Sequence, residues 1–183
     1  MEKNTFTQKL HKVCSNDELR PIAMCVHFKN GFAYAYDGYI AIKQSLEYHT
    51  ILGKEHLEGK SLHRDSYEAV MKFEIAECDD NGISCKSADG QVAYYEFFDR
   101  KEEMPDFDKV FRPTGMKSIE FIGLNPKYLI RLHEGMHSPT NQMRLEFQGV
   151  DKAVLVSCPD IPDQEGIIMP VSLNGTLDFG KNE

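Results

Sequence analysis

His133-Glu134-Gly135-Met136-His137 is a formal His-Glu-x-x-His. On a continuous helix that spacing sets both imidazoles on one face, where they hold zinc while the glutamate acts as general base. The chemistry it would bring is metal-assisted hydrolysis. Its surroundings work against it. Gly135 lowers helix propensity, and Ser138-Pro139 ends a helix immediately afterwards. The signature therefore straddles a predicted helix C-terminus, where the i, i+4 geometry fails. A zinc hydrolase using His133, Glu134 and His137 stays a remote alternative. The chain has no G-x-S-x-G, P-loop or G-x-G-x-x-G, and the acidic pairs Asp79-Asp80 and Glu102-Glu103 fall in turns. The expectation is a non-enzyme without metal or cofactor.

The other residues able to do chemistry are cations on predicted helices. Lys3, Lys9, His11 and Lys12 lie in a stretch that carries no acid up to Asn16. Lys127 and Arg131, with His133 beyond them, face one acid, Glu134. Lys127 and Arg131 stand at i, i+4 and share a face opposite the apolar stripe. Arg64 and Lys72 flank Asp65 and Glu68 and make a weaker set. Such helices can present cations to a phosphate backbone through contacts that ignore sequence and weaken with salt. Ordinary solvated helix faces look the same.

The elements that position these residues recur along the chain. In residues 4–46, Phe6, Leu10 and Val13 mark a helix that Asn16, Asp17 and Pro21 end. Strand-like runs follow at 22–28 and 32–42, with the hairpin signal Asn30-Gly31 between them and Asp37-Gly38 as a second turn. In residues 55–99, a short strand at 61–64 precedes a helix capped by Asp65 with Glu68, then strands at 73–77, 83–86 and 92–98. In residues 117–173, a strand at 118–124 leads to a helix with Asn125 as N-cap and Pro126 first, then strands at 143–147, 153–157 and 166–171. The expected fold is α+β: three β-α-β-β-β units with their helices on one face of antiparallel sheets.

Composition bounds the rest. The chain has 183 residues, 41% hydrophobic and 27% charged, with 11 Phe and 8 Tyr, enough apolar area to fold. The net charge of −8 concentrates in residues 47–112, which carry −7, while residues 1–46 carry +2 and 113–183 carry −3. No apolar run is long enough to span a membrane and no signal peptide is seen. Five scattered cysteines, Cys14, Cys25, Cys78, Cys85 and Cys158, read as reduced thiols of a cytoplasmic protein.

Four stretches resemble the bacterial sliding clamp, the beta subunit of DNA polymerase III. Tyr36-Asp37-Gly38-Tyr39-Ile40-Ala41 is similar to the family's T-D-G-H-R-L. Residues 98–110, with Met104-Pro105-Asp106-Phe107-Asp108-Lys109-Val110 at their end, resemble D-G-x-[FY]-P-D-[YF]-x-x-V. Leu124-Asn125-Pro126-Lys127-Tyr128-Leu129 resembles F-N-x-x-Y-L. Ile167-Ile168-Met169-Pro170-Val171-Ser172-Leu173 resembles V-x-M-P-M-R-L.

The resemblance implies a complete clamp-like domain over 1–112, a half domain over 113–173, and a tail at 174–183. It implies a DNA-clamp-like fold whose helices face duplex DNA through Lys9, Lys12, Arg64, Lys72, Lys127 and Arg131. It further implies an apolar pocket for a short peptide of a replication or repair protein. By motif position that pocket involves Gly38, Ile40, Ala41, Pro105, Val110, Ile167, Met169, Pro170 and Val171. The family's arginine in the first motif is Ile40 here, and its C-terminal arginine is Ser172. The implied role is a homo-oligomeric processivity factor, four chains supplying the twelve units of a ring. The alternative is a clamp-derived interaction module without DNA binding. Thr176-Leu177-Asp178-Phe179 in the tail resembles the family's peptide ligand and is expected to compete for the pocket.

Overall fold

The computed structural model describes residues 8–99, 102–112 and 114–172. Lys3, Phe6 and the tail motif lie outside them. Eleven strands are present among the described residues: Cys25–Lys29 (β1), Phe32–Tyr36 (β2), Ile40–Ser45 (β3), Ile51–Leu52 (β4), Ser61–His63 (β5), Ile75–Cys78 (β6), Gly82–Lys86 (β7), Val92–Glu96 (β8), Arg144–Glu146 (β9), Val154–Cys158 (β10) and Ile161–Ile168 (β11). Three α-helices accompany them: Arg64–Val70 (α1), Phe107–Val110 (α2) and Pro126–Gly135 (α3).

The strands form two sheets. One has seven strands in the order β5-β1-β2-β3-β11-β10-β9, and the other four in the order β4-β6-β7-β8. All neighbours are antiparallel except β4 and β6. The long sheet joins the first and third repeat units through β3 and β11, from Gln164↔Gln44 to Ile168↔Ile40. It therefore runs across the expected boundary at 112/113.

Strand alternation splits the core in two. Ala33, Ala35, Ile40, Ile42 and Ile168 point to the face that holds α1, α3 and the 3-10 turn Leu10–Lys12. Tyr34, Ala41 and Ile167 point to the other face, where Phe107 and Phe111 cover them. That second face carries α2. Asp106 caps α2 by accepting from the Lys109 N–H.

Several expectations give way locally. Among the described residues the first helix is only the 3-10 turn Leu10–Lys12, and the carbonyls of Lys12, Val13 and Cys14 at its end accept from the Arg131 guanidinium. Pro21–Met24 is a second 3-10 turn, so β1 starts three residues later than expected. Helix α1 is capped by His63, whose Nδ1 accepts from the Asp65 N–H, and Asp65 is inside the helix. Residues 118–124 form no strand. Both sides of β11 are already paired, and the stretch makes one bond to its end, Val171 N–H to the Gly123 carbonyl at 2.9 Å. Asn125 and Pro126 open α3 as expected.

His49 is buried under this core, with Tyr67 O–H and His49 Nε2 2.8 Å apart. Burial pushes its imidazole down from 6.5 to about 4. Between these values the unfolded chain binds a proton that the folded chain refuses, so stability falls as pH drops through that window. The loss approaches about 3 kcal/mol. Urea melts at pH 7 and pH 5 should show a lower midpoint at pH 5, and His49→Gln should remove most of the difference.

Candidate peptide cleft and cationic helix face

The cleft forms where three distant stretches meet on the α2 side of the long sheet. The turn between β2 and β3 supplies Tyr36, Gly38, Tyr39, Ile40 and Ala41, the α2 segment supplies Pro105, Phe107 and Val110, and the sheet supplies Ala153, Ile167 and Met169. The cleft has a volume of about 260 Å³ and opens to solvent. Its lining carries no charged side chain. Burial holds the Tyr36 phenol above its ordinary range, and burial with Asp108 nearby pushes Tyr34, beneath Phe107, up to about 12. Both stay neutral, so the cleft suits an apolar anchor.

Local chemistry sets the turn. Gly38 sits at φ +99, which favours glycine. Asp37 Oδ1 accepts from the N–H groups of Tyr39 at 2.8 Å and Ile40 at 3.0 Å, an Asx turn. Asp37 Oδ2 accepts from Arg131 of α3. Arg20 donates to the Asp37 carbonyl at 3.2 Å and lies against Gly38. Tyr39 stacks on Tyr128 of α3, ring centroids 5.0 Å apart and 12° from parallel. The cleft wall is thus tied to the helix on the opposite side of the sheet.

Seven of the nine residues expected for the pocket come together here. Pro170 and Val171 do not. They line a separate depression with Phe121 and Ile122, because the chain leaves the sheet after Ile168. Sequence reasoning missed Tyr36, Tyr39, Phe107 and Ala153. Tyr36 and Phe107 lie inside the quoted motifs and could have been found from strand parity and the Asp106 cap.

The six cations on the helix side divide. Lys9, Lys12, Lys72 and Lys127 are exposed. Lys72 is bound to Glu68 at 2.9 Å. Arg64 turns inward to the Ser15 carbonyl at 3.1 Å and to Asn16. Arg131 departs furthest from the expectation of a backbone contact. It donates to Asp37 and to the carbonyls of Lys12, Val13 and Cys14, which uses four of its five N–H groups.

The His-Glu-x-x-His signature has no helix to act on. Helix α3 ends at Gly135, and His137 lies beyond it with its backbone N–H on Gln164. Gly135 is where it is for packing: a Cβ there would stand 2.6 Å from Val13 and 2.7 Å from Ile42. Among the described residues no cluster of three His, Cys, Asp or Glu side chains is placed to hold a metal ion. No helix among them is long and apolar enough to cross a membrane.

No protein-family model matches the sequence, and no curated protein matches it. Solved structures do match. A DNA polymerase sliding clamp from Pseudomonas aeruginosa superposes with a TM-score of 0.64 at 12% identity, over 91% of this chain and 64% of that one. The Caulobacter crescentus beta sliding clamp gives 0.65 at 14%, over 90% and 62%. The sliding clamp of Bartonella birtlesii bound to griselimycin gives 0.63 at 12%, over 91% and 62%. The chain spans less than two thirds of the length of these clamps. Across that span it has the fold of the bacterial DNA polymerase III beta sliding clamps.

Proposed function

We propose that this chain is a clamp-like tether: it binds duplex DNA weakly through its helix side and recruits a partner peptide in the apolar cleft, with no catalytic step. The observation that supports it best is the convergence of residues 36–41, 105–110 and 167–169 on one uncharged cleft in a sliding-clamp fold. The partner is a replication or repair protein whose exposed segment carries an apolar or aromatic anchor. Fluorescence anisotropy with a labelled peptide bearing Leu and Phe beside an acid tests this. Val110→Glu and Met169→Glu, both on the half-exposed rim, should abolish binding while leaving the circular dichroism spectrum unchanged. Unaltered affinity in both would refute the cleft as the site.

For DNA, the contributing cations are Lys9, Lys12 and Lys127, with Lys72 weakened by Glu68. Three phosphate contacts give a log–log salt slope of about −3. Lys9→Glu, Lys12→Glu and Lys127→Glu together should remove binding to primed circular DNA. The internal use of Arg64 and Arg131 favours a second reading, an interaction module without DNA binding. Under that reading the triple variant leaves every measured interaction unchanged.

A further inference from the structure

A cation borders the uncharged cleft. Arg20 lies outside the four clamp-like motifs, 17 residues before Asp37. Local turns set its place. Asp17 accepts from the Leu19 N–H through Oδ1 and from the Arg20 N–H through its carbonyl, both at 3.0 Å. Arg20 then opens the 3-10 turn Pro21–Met24. The His27 ring of β1 ties that turn down, with Nε2 3.0 Å from the Ile22 carbonyl. The same ring packs beside Tyr36 and Phe107, centroids 5.8 and 5.7 Å away. The turn therefore sits on the cleft side of the long sheet.

From there the Arg20 side chain reaches the turn between β2 and β3. Nη1 donates to the Asp37 carbonyl at 3.2 Å, and the guanidinium lies along Gly38. A Cβ at Gly38 would stand 3.1 Å from Nη1 and 3.4 Å from Nη2, so the glycine leaves this space open as well as accepting a φ of +99. The Arg20 charge also reaches Tyr36, where it opposes the burial that raises the phenol. Tyr36 and Gly38 both line the cleft.

Arg20 is exposed, and among the described residues no carboxylate lies within ion-pair distance of it. Lys109 and Lys43, on the same side of the sheet, are engaged by Asp106 at 2.8 Å and Glu165 at 3.6 Å. The Asp37 carbonyl takes one of the five guanidinium N–H groups. The edge formed by Nε and Nη2 is used by no described residue, and that edge matches a carboxylate with two parallel bonds.

We propose that Arg20 sets the specificity of the cleft by pairing with a carboxylate on the bound segment, either an acidic side chain beside the apolar anchor or the segment's own C-terminus. The anchor fills the uncharged floor while the carboxylate meets the guanidinium at the rim. This rests on the reading of the cleft as a peptide site and adds what is recognised next to the anchor.

A double-mutant cycle read by fluorescence anisotropy tests it. Four labelled peptides carry Leu and Phe, with aspartate or asparagine beside them and a free or an amidated C-terminus. On the parent protein, loss of the recognised carboxylate should weaken binding about tenfold, as for a hydrogen bond to a charged group. In Arg20→Gln the same change in the peptide should leave affinity unaltered. In Arg20→Glu the preference should reverse, a lysine-bearing peptide binding more tightly than the aspartate-bearing one. Coupling to the aspartate assigns the side chain as the source, and coupling to amidation assigns the C-terminus. Coupling to neither overturns the proposal. So does an equal loss for all four peptides in Arg20→Gln, which is what a role confined to shaping the Asp37 turn produces. Val110→Glu separates the two failures. If it abolishes binding of all four peptides while Arg20→Gln shows no coupling, the cleft stands as the site and the role of Arg20 falls. If it leaves binding intact, both fall.

Discussion

Arg131→Ala is expected to destabilise this protein by about 3 kcal/mol, the lower end for breaking a buried ion pair. Asp37 is the reason. Its carboxylate is 6% exposed and faces Arg131 on one oxygen and the Tyr39 and Ile40 N–H groups on the other. Without the guanidinium it remains a buried anion with half its partners. The Lys12, Val13 and Cys14 carbonyls lose their donor in the same step. Arg131→Lys keeps the charge but not the fork and should fall between the two. Lys127→Ala, on the exposed side of the same helix, should stay within about 0.5 kcal/mol of the parent. Urea midpoints at unchanged slope measure all three. Equal midpoints for Arg131→Ala and Lys127→Ala would mean that Arg131 is only a surface cation. The variant should also weaken peptide binding, since the Asp37 turn forms the cleft wall. A loss of DNA affinity in Arg131→Ala therefore reports unfolding first.

Phe107→Ala should have an effect of similar size, about 3–5 kcal/mol, and a sharper functional consequence. Phe107 is buried and stacks on Tyr34 at 4.2 Å and 10°, with Tyr36 edge-on at 5.9 Å. Helix α2 has four residues and cannot hold its shape alone. Its place depends on this one ring and on Phe111. Removing the ring frees Pro105 and Val110 from the cleft. Peptide affinity should fall to background even where the residual fold is stable enough to measure. Asp106→Ala, which removes only the cap, should cost about 1 kcal/mol and weaken the peptide modestly. Retained affinity in Phe107→Ala would show that the α2 segment is not part of the binding wall.

Much of this structure was legible locally. Asn125 and Pro126 open α3 because an N-cap acceptor and a ring with fixed φ act within a few residues. Asn30 and Gly31 both adopt positive φ, as a tight hairpin of right-handed twist demands. Seven cleft residues followed from short motifs, because each motif is a turn or strand end whose shape is set nearby.

What the sequence could not place depends on partners far along the chain. Arg131 and Lys127 share a helix face in projection, yet 94 residues away Asp37 captures one and no described residue captures the other. That same guanidinium satisfies the Lys12, Val13 and Cys14 carbonyls that end the first 3-10 turn. Gly135 reads as a flaw in a metal motif until Val13 and Ile42 are seen packed against its Cα. The strand expected at 118–124 has good local composition, but β11, the strand it lies beside, is already paired on both sides. Local sequence determined the repeat units, their turns and caps, and which residues each strand turns inward. The tertiary structure alone decided which cations remain in solvent and where the cleft closes, because hydrogen-bond donors and strand edges are finite and each is claimed by a residue distant in sequence.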